Sequence, residues 1–133
     1  MFRFTGDAAA SLAAALTVTL VPSAGPALAQ SAPASPVAQQ LTVAAQSVDA
    51  ALVDLQNGDL AQARAHYGAY DDAWDLLEDG IRDPHPDVYE TVERAMDGVE
   101  DTLLKVDNPS PATAADALRA LRQTIDGQAP LLG

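Results

Sequence analysis

The residues of this chain that could do chemistry lie mostly in one stretch, from Trp74 to Met96. It is crowded with carboxylates, and only two arginines, Arg82 and Arg94, oppose them. Acids this close in sequence repel one another, so arginine, protons, solvent and salt, or a bound cation must neutralise them. The acids concerned are Asp75, Glu78, Asp79, Asp83, Asp87, Glu90 and Glu93, with Asp72 at the edge.

The turn inside this stretch predicts that acids from two helices face each other. Residues 83–86 (Asp-Pro-His-Pro) end one helix and begin the next, because a residue before proline avoids the helical conformation. If the two helices run antiparallel from this turn, their carboxylates come level, and carboxylate oxygens suit iron(III), calcium, magnesium or manganese. The candidate residues for such a cation site are Glu78, Glu93, Glu90, Asp75, Asp79, Tyr89 and His85.

An ordinary solvated helix face is the alternative explanation for the same acids. An acid four residues before a base stabilises a helix by about 0.2–0.5 kcal/mol without any ligand. We also expect the Tyr89 hydroxyl to hydrogen-bond a carboxylate such as Glu78, since a buried tyrosine needs a partner. The pairs with the favourable spacing are Glu78–Arg82, Glu90–Arg94 and Asp101–Lys105.

Four helices must position these residues, and local signals mark their ends. Ser35 and Asp59 are predicted N-caps, Pro36 and Pro111 are first helical residues, and Gly58 is a left-handed stop. Apolar residues recur at alternating three- and four-residue steps, which is the seam of an antiparallel bundle. In the second helix the seam is Leu60, Ala63, Tyr67, Tyr70, Trp74, Leu77 and Ile81.

The fold predicted from these signals is all-α, an antiparallel up-down-up-down four-helix bundle. We expect the bundle over residues 36–127, a flexible lead at 30–35 and a C-terminal tail at 128–133. The predicted helices span residues 36–57, 60–81, 86–106 and 111–126, and the third carries Tyr89, Val92, Met96, Val99, Leu103 and Val106 on its seam.

The N-terminus has the pattern of a cleavable signal peptide over residues 1–29. An apolar run at residues 11–21 is followed by Ala27-Leu28-Ala29, a small-x-small site that predicts cleavage after Ala29. The run is too short for a comfortable membrane span, although an uncleaved anchor is the alternative. We therefore expect a periplasmic or secreted protein, which holds its core together without disulfides because it has no cysteine.

Charge and missing motifs restrict the function further. Arg3 and Asp7 cancel, so the predicted mature part keeps the net charge of −12. That charge disfavours nucleic acid and anionic membranes as partners and favours cations or basic proteins. No thiol nucleophile, HExxH, GxSxG or phosphate-binding glycine loop is present in the sequence, so we expect no enzyme.

The motif in the acidic stretch resembles a known family. Trp74 is followed by Glu-Asp-Gly at 78–80 and Arg82, and then by Tyr89 and Val-Glu-x-x-Met at 92–96. This resembles the small helical extracytoplasmic domain associated with bacterial high-affinity iron permeases, over about residues 52–121. The resemblance implies an iron-handling module beside the permease, with functional residues at Glu78, Glu93 and Tyr89.

The chain departs from that system in one respect and leaves two functions open. It has no Arg-Glu-x-x-Glu iron motif, because Tyr89 precedes Glu90-Thr-Val-Glu93 where arginine would stand. We expect a secreted, non-enzymatic accessory domain for cations, with iron or another hard cation as ligand and no certain cofactor. A membrane iron permease or another periplasmic protein is the expected partner, with no direct membrane binding after cleavage. The alternative is an acidic module that docks a basic protein without metal.

Overall fold

The computed structural model describes residues 33–133 of the 133-residue chain. The predicted signal peptide at 1–29, its cleavage after Ala29, and residues 30–32 of the lead lie outside the described residues. Within residues 33–133 the secondary structure is entirely helical, and no strand occurs. The helices are α1 (Pro36–Gln56), α2 (Leu60–Arg82), α3 (Pro86–Val99), which continues as a π-helical segment (Glu100–Leu104), α4 (Pro111–Gln128) and a final 3-10 turn (Ala129–Leu132).

The helix starts follow the local chemistry of the sequence. The side chains of Ser35, Asp59 and Ser110 each accept a hydrogen bond from the backbone N–H three residues later. Such caps satisfy N–H groups that have no partner inside the helix. Gly58 follows α1 with φ of +76°, the left-handed conformation in which glycine avoids a steric penalty.

The four helices pack against one another around one core. α1 contacts α2 and α4, and α3 contacts the same two helices. The predicted seam of α2 is buried apart from its first residue, and its aromatic side chains Tyr67, Tyr70 and Trp74 are the largest that are fully enclosed. No charged side chain is buried within residues 33–133, so the acidic residues all lie at or near the surface.

The second half of the α3 region differs from the expected regular helix through residue 106. From Glu100 the backbone widens into a π-helical turn, and the chain leaves the helix after Leu104. Val106, placed on the seam by its spacing, is 39% exposed as a result. The Arg64 side chain donates to the carbonyls of Leu103 and Val106, which have no helical partners at this end.

The C-terminal residues pack on the core. α4 continues through Gly127 to Gln128, and the residues expected as a tail form the 3-10 turn. Ala129 and Leu132 of that turn are buried. Across residues 33–133, no helix combines the length and apolar character that crossing a bilayer requires.

Candidate functional site

The centre of the α2–α3 interface is built on Trp74. Its ring lies parallel to that of Tyr89, with centroids 6.0 Å apart and planes 16° apart. Its indole Nε1 donates to Glu93 Oε1 at 2.5 Å. Trp74 is fully enclosed and Glu93 is half-buried, so this bond fixes one oxygen of a carboxylate that the sequence had placed in the cation site.

The part of the α2–α3 interface next to the turn at residues 83–86 is organised by Arg82. Its guanidinium pairs with Glu78 at 3.0 Å and with Asp79 at 3.3 Å. The same group lies 4.8 Å from the Tyr89 ring centroid and donates to the Tyr89 hydroxyl at 3.5 Å. Hydrogen bonds to Tyr89 and Glu78 raise the pKa of Arg82. Arginine thus neutralises this end, and Tyr89 accepts from Arg82, whereas the sequence suggested a bond to Glu78.

The remaining predicted residues form no hydrogen bond or ion pair with Trp74 or Arg82 within residues 33–133. Asp75 and Glu90 are exposed, and neither makes an ion pair within residues 33–133. The expected Glu90–Arg94 pair is absent from the described contacts, whereas Lys105 does meet Asp101 at 2.8 Å. His85 is half-buried in the turn and precedes α3 without a side-chain capping bond.

The predicted residues are therefore divided among different partners. Glu78 and Asp79 contact Arg82, Glu93 contacts Trp74, and Asp75 and Glu90 face solvent. In the part of the chain that the structure describes, no three His, Cys, Asp or Glu side chains are arranged to hold a metal ion directly.

A second group of acids lies farther from the turn, and two of its members, Asp71 and Glu100, were not predicted from the sequence. The pKa of Asp71 is raised, first by partial burial and then by four acids that surround it. No basic side chain is among the main causes of this shift. The signal in the sequence was the helical spacing of Asp71 from Asp75 and of Glu93 from Glu100. We call Asp71, Asp75, Glu93 and Glu100 the acidic cluster; Asp72 is the fourth neighbour of Asp71.

Two buried tyrosines of α2 are influenced by the charges of the acidic cluster. The rings of Tyr67 and Tyr70 are 6.1 Å apart and both residues are completely enclosed. The Tyr67 hydroxyl donates to the Met96 carbonyl at 3.4 Å, whereas the Tyr70 hydroxyl has no hydrogen-bond partner among the described residues. Burial raises the pKa of Tyr70, and the charges of Glu93 and Asp71 raise it further. The hydroxyl is therefore neutral at physiological pH and lies within the field of these acids.

Two surface depressions have no acidic residue of α2 or α3 in their lining. One, of about 630 Å³, lies between the start of α1 and the final 3-10 turn and is lined by Ala38, Thr42 and Pro130 among others. The other, of about 530 Å³, lies between α1 and α2 beside the exposed side chains of Val43 and Leu76. Neither contains a residue of the predicted site.

Comparisons with protein-family models, with curated proteins and with solved structures give no match to this chain. The link to iron permeases therefore rests on the motif resemblance alone.

Proposed function

We propose that this chain is an exported, non-enzymatic helical accessory domain that binds cations through the acids of the α2–α3 hairpin. The observation that carries the proposal is the environment of Asp71. Partial burial raises its pKa most, the charges of four carboxylates raise it further, and no basic side chain is among these main causes. Because like charges at short range oppose ionisation, a bound cation would relieve this repulsion and gain affinity from it.

Iron is the cation that the family resemblance implies, and a membrane iron permease is the partner it implies. The net charge of −12 favours a cation or a basic surface over nucleic acid. The signal pattern at residues 1–29 supports a periplasmic or secreted location, with no direct membrane binding after cleavage.

The helix arrangement that we propose is the antiparallel up-down-up-down bundle. Contacts between α2 and α3 pair Trp74 with Glu93 and Tyr67 with Met96, so residue numbers rise on one helix as they fall on the other. The same inverse order holds for Asp54–His66 and Val37–Gly80 between α1 and α2. These pairs, with the contact of α4 against both α1 and α3, support alternating helix directions.

A cation titration tests the proposal. The purified protein is titrated with iron(III) as a soluble chelate, iron(II), manganese, calcium and copper, following Trp74 fluorescence and thermal melting together. Trp74 touches Glu93, so an occupied site should change its emission. Binding to the folded state alone should also stabilise it by about 2.7 kcal/mol at a ligand concentration of 100 Kd.

The variants identify the acids that bind. Glu78→Gln with Glu93→Gln should weaken cation binding while the domain stays folded, since neither side chain is enclosed in the core. Asp107→Asn with Asp116→Asn removes the same charge from exposed positions outside the hairpin and is the matched control. Equal affinity in both double variants, or no saturable response to any cation, would contradict the proposal.

Docking of a basic protein, without metal, is the second candidate. The exposed acids Asp75 and Glu90 favour it, because neither is paired within residues 33–133 and both are free to meet a partner's lysine or arginine. Exposed charges are screened over about 10 Å at 0.1 M salt, so binding of this kind weakens steeply as salt rises. A basic peptide should then bind at low ionic strength, lose affinity at 0.5 M salt, and be insensitive to chelators.

A further inference from the structure

Among the buried side-chain polar atoms of residues 33–133, the Tyr70 hydroxyl oxygen alone has no hydrogen-bond partner. Its side chain is 0% exposed, and its oxygen has no hydrogen-bond partner among the described residues. A buried hydroxyl is normally bonded to protein or to ordered water, so an orphaned one needs an explanation. A small polar ligand that came within hydrogen-bonding distance of this oxygen would supply the missing partner.

The register of α2 against α3 places Tyr70 near the acidic cluster. Tyr67 contacts the Met96 carbonyl and Trp74 contacts Glu93, so Tyr70, between them on α2, faces the same part of α3. Glu93 and Asp71 also exert the largest charge effects on Tyr70. The hydroxyl and these acids therefore belong to the same part of the α2–α3 interface.

The acids at this region retain free oxygens and excess negative charge. Glu93 uses one oxygen for the Trp74 indole, and Asp71 makes no ion pair within residues 33–133. Glu100 is met only loosely by Lys105, at 3.8 Å. One distant ammonium against three carboxylates leaves a net charge that favours a divalent cation.

Direct coordination does not fit the spacing of these acids. Ligand oxygens around a small metal ion lie roughly 3 Å apart, and no three acid or histidine side chains in residues 33–133 meet that requirement. A cation that keeps its water shell needs wider spacing, with carboxylate oxygens roughly 4–5 Å from the ion, each accepting from a bound water. One such water can also donate to the Tyr70 oxygen.

We propose that a hydrated divalent cation binds at Asp71, Glu93 and Glu100, with one of its waters hydrogen-bonded to the Tyr70 hydroxyl. This inference rests on the proposed cation-binding function and names the class of cation, of which magnesium, manganese and iron(II) are members. It also moves the site from the turn, where Arg82 neutralises Glu78, to the middle of the hairpin.

The test is calorimetric titration of the purified protein with Mn²⁺ at low ionic strength, and then with hexamminecobalt(III) as competitor. That complex does not exchange its ligands, so it occupies only sites that bind a cation through its outer shell. We expect saturable Mn²⁺ binding and displacement by hexamminecobalt(III). Asp71→Asn and Glu100→Gln should each weaken binding about tenfold, and Tyr70→Phe about 2- to 10-fold. Asp116→Asn, on α4, should leave it unchanged.

Melting of each variant confirms that it folds. The outcomes of the titrations distinguish a failure of the site inferred here from a failure of the proposed cation-binding function. Mn²⁺ binding that survives Asp71→Asn and Glu100→Gln but is lost on Glu78→Gln with Glu90→Gln would overturn the site and leave the proposed function standing. Binding that hexamminecobalt(III) does not displace would overturn the hydrated mode. No binding of Mn²⁺, Mg²⁺ or iron(II) would overturn the inference. The proposed function would be overturned as well only if iron(III), calcium and copper also fail to bind.

Discussion

Replacing Tyr70 by phenylalanine should stabilise the cation-free protein. The ring is 0% exposed, so phenylalanine keeps the packing and removes only the hydroxyl, which has no partner among the described residues. Leaving a polar group buried and unpaired costs about 1–3 kcal/mol, and this is the expected gain in the free energy of unfolding. In a domain of this size each kcal/mol raises the melting temperature by about 4–8 °C.

Tyr67→Phe is the matched control on the same helix. The Tyr67 ring is equally enclosed, but its hydroxyl donates to the Met96 carbonyl at 3.4 Å. Losing that bond should cost about 0.5–1.5 kcal/mol, so the two variants should change stability in opposite directions.

Urea unfolding in the presence of a chelator measures both effects, with Trp74 fluorescence as the signal. A change in stability alone shifts the urea concentration at the midpoint and leaves unchanged the slope of the unfolding free energy against urea concentration. If Tyr70→Phe lowers the free energy of unfolding by about 1 kcal/mol or more, the hydroxyl has a strong partner in the cation-free protein and the reasoning is refuted.

Three further perturbations have defined outcomes. Asp71→Asn should raise the melting temperature at pH 7 and have no effect below pH 3.8, the usual pKa of this group. Its folded-state pKa is raised, so its contribution is fully present at low pH and is lost as pH rises through that pKa; an effect confined to acid pH would contradict this. Trp74→Phe should cost about 3 kcal/mol, because it opens a cavity and leaves Glu93 without its donor. The substitution removes the one tryptophan of the chain, and with it the fluorescence signal, so circular dichroism measures this loss. Near-wild-type stability would show that the bond to Glu93 contributes little. Gly58→Ala should cost about 1 kcal/mol because φ is +76° there, whereas Gly68→Ala, inside α2 with free space for a methyl group, should gain about 0.5–1 kcal/mol. Equal effects of the two alanines in urea unfolding would count against the assigned role of Gly58.

The course of the helices was predictable because their ends depend on neighbours in the chain. A serine or aspartate three residues before a backbone N–H can cap a helix wherever the rest of the protein lies, as Ser35 and Asp59 do. The three-four spacing also identified the buried face of α2, since Tyr67, Tyr70 and Trp74 are all enclosed. Helix periodicity is a local property, and the sequence records it directly.

The α3 face was predictable only in part. Val92, Met96 and Val99 are buried as their spacing indicated, but Val88 is buried where Tyr89 was expected, and Tyr89 is half-buried against Trp74. Packing of one helix on another selects which edge of an apolar stripe is covered, and nothing local to α3 specifies that choice.

The sequence by itself determined the helical class, the helix starts and the concentration of acid between Trp74 and Met96, because composition, caps and periodicity are written in neighbouring residues. Only the tertiary structure decided which acids share a neighbourhood. Arg82 forms an ion pair with Glu78, and Trp74 donates a hydrogen bond to one oxygen of Glu93. The charge of Glu100, from another helix, raises the pKa of Asp71. Such pairings depend on the register between helices, which is set by the packing of whole faces rather than by the spacing of any one motif.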